Sequence, residues 1–131
     1  MKRVSLIMFS LLFLGSISFS QTLTVYNYTS CQLEVRAYAD TICSWNCPSN
    51  TSIVNSGGGT ANLTPNCTWT SQHKWNSIKF WKYGYTPPMT GGTCQRISGC
   101  GPSSVDWNCG GGGGTIYAVW TTSPWTVSLY D

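Results

Sequence analysis

"QLEVRAYA", Gln32 to Ala39, decides the fold. Leu33, Val35 and Ala37 fall on one side of an extended chain, Gln32, Glu34 and Arg36 on the other. Strict two-residue alternation marks a strand with one face in a core and one in water, the habit of antiparallel sheets. A helix needs apolar residues three and four apart, and no stretch of this chain keeps that period for two turns.

The same alternation recurs on both sides of this stretch. "TLTVYNY" sets Leu23 and Val25 opposite Thr24 and Tyr26. "TSIVN", the turn "SGGG" and "TANLT" follow a cysteine loop, and "KWNSIKFWKYG", Lys74 to Gly84, is the longest extended run. "TPPMTGG" ends that run, because proline cannot donate to a central ladder. Residues 94–114 read as loop, with short strands at most at "CQRI" and "SSVDW". "TIYAVW" and "WTVSLY" form a terminal hairpin around "TTSP". Many short strands separated by turn residues predict an all-β chain: a small disulfide-stabilised antiparallel β-sandwich, with a small β-barrel as the alternative. The first eighteen residues of that domain, from Gln21, resemble the opening of thaumatin-like proteins in their order of strand, asparagine, cysteine, strand. The later cysteine framework and acidic cleft of that family are missing here, so no function is carried over.

Residues 1–20 read as a secretory signal peptide and residues 21–131 as the single domain. Lys2 and Arg3 precede the apolar "VSLIMFSLLFLG", and Ser18 and Ser20 supply small residues before a cut. The apolar stretch is shorter than a membrane-spanning helix requires. Export makes the seven cysteines, Cys31, Cys43, Cys47, Cys67, Cys94, Cys100 and Cys109, a disulfide framework rather than a metal site. Short loops favour Cys43–Cys47 and Cys94–Cys100, leaving Cys31, Cys67 and Cys109 to supply one more bridge and one free thiol. Zinc is the alternative, but the spacings in "CSWNC" and "CQRISGC" are wide, and His73 is the one histidine. No metal and no cofactor are expected.

Charge excludes one partner class. Beyond the leader, Arg36, Lys74, Lys79, Lys82 and Arg96 stand against Glu34, Asp40, Asp106 and Asp131, with no basic stripe for phosphate binding. Nucleic acid is therefore excluded. Catalysis is also disfavoured. His73 lies in a polar turn, and no "GxSxG" elbow occurs. Glu34, the one glutamate, sits mid-strand beside Arg36, as a surface ion pair would. The glycine run 110–114 is followed by a strand and has no nearby lysine, so it reads as a loop and not a phosphate cradle. Asn27, Asn50, Asn62 and Asn66 each begin an N-x-Ser/Thr triplet, surface positions if a eukaryotic pathway made the protein.

Rings are what the chain has in excess: seven Trp and seven Tyr. Each buries about 150–250 Å², more than a core of this size absorbs, so several lie at the surface. In "KWNSIKFWKYG" the alternation sets Trp75, Trp81 and Tyr83 on one face of a strand, and "FWKYGYTPP", Phe80 to Pro88, adds Tyr85 on the loop after it. They form either an outer aromatic stripe or, if a second sheet covers them, part of the core. The expectation is a secreted, non-catalytic module that binds surface glycans through Trp75, Trp81, Tyr83 and Tyr85. The alternatives are a self-associating subunit of an extracellular layer and a membrane-active toxin.

Overall fold

The computed structural model describes residues 21–40, 45–84, 91–96, 104–105, 109 and 115–131. The expected leader, the glycine run, Tyr85, Cys43, Cys100, Asp106 and Trp107 lie outside these residues.

Among the described residues there are nine strands and no helix. They are β1 Leu23–Asn27, β2 Leu33–Asp40, β3 Cys47–Val54, β4 Gly59–Leu63, β5 Lys74–Lys82, β6 Gly91–Gln95, β7 Ser104–Val105, β8 Ile116–Thr122 and β9 Trp125–Tyr130. A five-stranded sheet runs β4-β1-β9-β8-β7 and a four-stranded sheet runs β3-β2-β5-β6. The expected sandwich is the architecture. Leu23, Val25, Leu63, Ile116, Val127 and Leu129 of the first sheet face Leu33, Val35, Ala37, Val54, Ile78 and Phe80 of the second, all fully buried.

One pair breaks the antiparallel pattern. β1 and β9 run parallel, with Val25 opposite Val127 and Asn27 opposite Leu129. This pairing puts the first and last strands side by side at the centre of the five-stranded sheet. The sheets meet along one edge, where β3 leaves the four-stranded sheet and β4 enters the other. Ser49 bridges Pro65, and the Asn66 N–H donates to the Pro48 carbonyl at 2.8 Å. Gly58 makes the intervening turn at φ +97°, a backbone region that residues with a side chain rarely adopt.

The cysteines pair differently from the expected short loops. Cys31 bonds Cys109 and Cys47 bonds Cys67, across Cα separations of 5.3 and 5.4 Å. Cys47 therefore does not close the short loop with Cys43. It opens β3 with its side chain turned inward, and the β3–β4 contact delivers Cys67 beside it. Cys94 is free and fully buried, so the Cys94–Cys100 bridge is also absent. It sits on the inner face of β6, opposite Ile78, where the core and not a loop surrounds it. Two intramolecular disulfides fit an oxidising, extracellular type of environment. Among the described residues no helix is long and apolar enough to cross a membrane.

Asn27 is no surface acceptor either. It is fully buried, and its amide donates to the carbonyls of Cys31 at 2.8 Å and Val54 at 3.0 Å. Its carbonyl oxygen accepts from the Thr29 N–H at 3.0 Å and the Thr29 hydroxyl at 2.6 Å. The acceptor triplet there is a buried polar knot tying β1 to β3. Asn50, Asn62 and Asn66 are exposed.

Candidate functional site

The expected stripe on β5 is split by a β-bulge. Tyr38 pairs with Ser77 but Ala39 pairs with Trp75, which leaves Asn76 as an extra residue in β5. One extra residue inverts the alternation. Trp75 consequently turns inward with Ile78 and Phe80 and is fully buried, so it is core and not platform. Arg96 holds the bulge. Its Nε donates to the Trp75 carbonyl at 2.8 Å, its Nη2 to Asn76 Oδ1 at 3.1 Å, and its backbone N–H to the Asn76 carbonyl at 2.7 Å. The guanidinium also lies over the Trp125 ring, 5.5 Å from its centre.

Trp81 and Tyr83 do reach the outer side of the four-stranded sheet. Trp81 is half-buried, and its indole N–H donates to Glu34 Oε2 at 2.9 Å across the strand pair. Tyr83 is 47% exposed at the strand end. The expected Glu34–Arg36 ion pair gives way to cross-strand partners, since Arg36 donates to Thr51 Oγ1 at 3.0 and 2.8 Å. Residues opposite one another on neighbouring strands are closer than residues two apart on one strand. Arg36 and Lys79 make this outer face a charged one. Trp81 is one ring among charges, not a stripe.

At one end of the sandwich Trp69 packs on Trp75 at 5.2 Å and on His73 at 5.5 Å, next to the Cys47–Cys67 bridge. Ligand atoms of Cys47, Cys67 and His73 lie within 4.8 Å of one another. The two sulfurs are spent in their mutual bond, and His73 Nδ1 faces the Thr70 N–H at 3.0 Å and its hydroxyl at 2.8 Å. That leaves one imidazole beside a disulfide, an arrangement of packing and not a ligand set.

The rings that do gather at the surface lie on the five-stranded sheet. With Leu23, Val25, Val127 and Leu129 inward, alternation turns Tyr26, Ser128 and Tyr130 outward, and Ile116 inward turns Tyr117 and Val119 outward. The parallel register continues past Asn27, so Tyr28 comes beside Tyr130. Tyr130 is itself the register partner of Tyr117. The ring centres of Tyr28 and Tyr130 are 5.0 Å apart with planes 11° from parallel; those of Tyr130 and Tyr117 are 5.3 Å apart at 17°. Tyr26 joins along β1, 6.3 Å from Tyr28 at 10°.

Near-parallel rings this close cannot lie side by side in one plane. They stand on edge, overlapped face to face at the step between neighbouring strands. Tyr28 and Tyr117 are each 46% exposed. Around them the face carries Thr24, Thr60, Asn62, Val119, Thr121, Thr126, Ser128 and Ser104, with no Lys, Arg, Asp or Glu among its strand positions. Asp131 follows at the end of β9, where the Ser30 hydroxyl and N–H donate to it at 2.6 and 2.9 Å and hold its carboxyl below the usual range.

These four tyrosines were not among the residues singled out from the sequence. Alternation in "TLTVYNY" already sets Tyr26 opposite the core, and "TIYAVW" and "WTVSLY" carry the same phase. Their adjacency depends on the strand order β1-β9-β8, which no local pattern encodes. Compared with known proteins, the chain matches no family model, no curated sequence and no solved structure.

Proposed function

We propose that this protein is a secreted, non-catalytic binding module that takes neutral glycans on the outer face of its five-stranded sheet. The observation that carries the reading is a hydroxyl-rich face, without a charged side chain at its described strand positions, crossed by a row of tyrosines. Such a face exchanges hydrogen bonds with sugar hydroxyls without desolvating an unpaired charge. The half-exposed phenols add apolar area with little conformational entropy to lose. Catalytic chemistry has less support. His73 is engaged by Thr70, Glu34 by Trp81, and the Cys94 thiol is sealed in the core.

A glycan array and polysaccharide pull-downs, run beside size-exclusion chromatography, test the reading. Binding to neutral glycans should fall about tenfold or more in Tyr28→Ala with Tyr117→Ala, because an aromatic anchor often carries about 2 kcal/mol. Lys79→Ala, on the opposite outer face, should bind like the parent. Retention of no neutral glycan, or equal retention by the double variant, overturns it. Large self-assembled species would point instead to a subunit of an extracellular layer.

A further inference from the structure

We infer that the ligand is an extended, β-1,4-linked neutral polysaccharide lying across the strands, with successive sugars over Tyr28, Tyr130 and Tyr117. The inference rests on the neutral-glycan reading above and adds linkage and direction. Three rings on three consecutive strands repeat at 5.0 and 5.3 Å. That repeat is imposed by the sheet, since neighbouring strands are about 4.7–4.9 Å apart. A β-1,4-linked pyranose chain joined through equatorial bonds is extended and advances by nearly the same length per sugar. An α-1,4-linked chain curls and drifts off a straight row within a few units.

The edge-on stance of the rings sets the contact chemistry. Stacking covers the inner ring faces, so each strand offers its outer ring edge and one phenol hydroxyl. Among the described residues no hydrogen bond uses the hydroxyls of Tyr28, Tyr117 or Tyr130, and these residues are exposed or half-exposed. A phenol both donates and accepts, which suits a partner made of hydroxyls. The result is a comb with one polar tooth per sugar.

The ends of the row differ. Tyr28 lies beside Gly58, where an added Cβ would come within 3.4 Å of its ring. Tyr117 is followed by the small Ser104, so its outer face borders a short side chain.

Calorimetric titration with cello-oligosaccharides and chito-oligosaccharides of increasing length, against malto- and laminari-oligosaccharides, tests the inference. Affinity for the β-1,4 series should climb until the oligomer spans the three rings and then level off. It should exceed that for the α-1,4 series by about tenfold. Tyr130→Phe and Tyr117→Phe keep the stack and remove one tooth each, and each should weaken binding roughly fivefold, as the loss of one hydrogen bond implies. Their melting temperatures should stay at the parent value. Equal affinity for malto-oligosaccharides overturns the linkage assignment while leaving the neutral-glycan reading in place. Phenylalanine variants that bind as tightly as the parent overturn the comb. Failure to bind any neutral oligosaccharide overturns both readings together.

Discussion

Arg96 reaches back from the end of β6 to donate its Nε–H to the carbonyl of Trp75, at 2.8 Å. With its Nη2 on Asn76 Oδ1 it fixes the one-residue bulge that turns Trp75 into the core. Burial lowers the guanidinium pKa only from a very high value, so the group is a permanent cation at working pH. Arg96→Ala should therefore cost about 1–3 kcal/mol, because it strips a donor from two bulge acceptors. Arg96→Lys should recover little, having lost the fork and the flat contact on Trp125. Urea denaturation of the three proteins reads the difference.

The rings of β5 should separate by burial. Trp75→Ala empties a fully buried site and should cost roughly 3–5 kcal/mol. Trp75→Phe should cost less, since the indole N–H it deletes has no hydrogen-bond partner. Tyr83→Ala, at a half-exposed position, should stay within about 0.5 kcal/mol of the parent. If Trp75→Ala were as mild as Tyr83→Ala, the inward turn at the bulge would be wrong.

The strand content was legible because alternation is local. Leu33, Val35 and Ala37 are read as one face from eight letters, and they form that face. What failed was non-local or depended on one residue. Asn76 looks like any other position in "KWNSIKFWKYG", yet as a bulge it inverts the side of Trp75. Cys47 finds Cys67 through the β3–β4 edge contact, a relationship between two sheets, whereas sequence proximity to Cys43 is merely short. Tyr28 meets Tyr130 only because β1 and β9 are parallel neighbours, although they lie at opposite ends of the chain.

The two bridges should contribute unequally. Cys31–Cys109 spans 78 residues and Cys47–Cys67 spans 20. Loop-closure entropy grows with the logarithm of loop length, which separates them by about 1 kcal/mol. Thermal unfolding of the paired serine variants should show the larger loss for Cys31 with Cys109. Removing Asn27 contacts to Cys31 would add to it, so Asn27 is kept in both variants.

Cys94 should make stability fall at high pH. Burial pushes its thiol up from 9.0 to about 11. Between those values the unfolded chain releases the proton and the folded chain keeps it, so unfolding gains and stability declines as pH rises. Each unit of separation corresponds to about 1.4 kcal/mol. The stability difference between the parent and Cys94→Ala should therefore narrow from pH 9 upward. Iodoacetamide at pH 8 should leave Cys94 unlabelled in the folded protein and label it in denaturant, as peptide mass spectrometry would show.

A glycan on Asn62 offers a test of the binding face that touches no tyrosine. Asn62 is exposed on β4, opposite Thr24, whose hydroxyl donates to its Oδ1 at 3.0 Å, so it shares the outer face with the ring row. Asn50 and Asn66 lie instead along the β3–β4 edge, where Asn50 Oδ1 accepts from the Thr64 N–H at 2.8 Å. Asn27 is buried and hydrogen-bonded throughout, so a eukaryotic secretory pathway should leave it bare. A branched sugar tree on Asn62 shades the neighbouring strands and should lower glycan binding several-fold, and Asn62→Gln should restore it. Asn66→Gln should restore nothing. Glycosylated protein that binds as well as the bare form would move the site off this face.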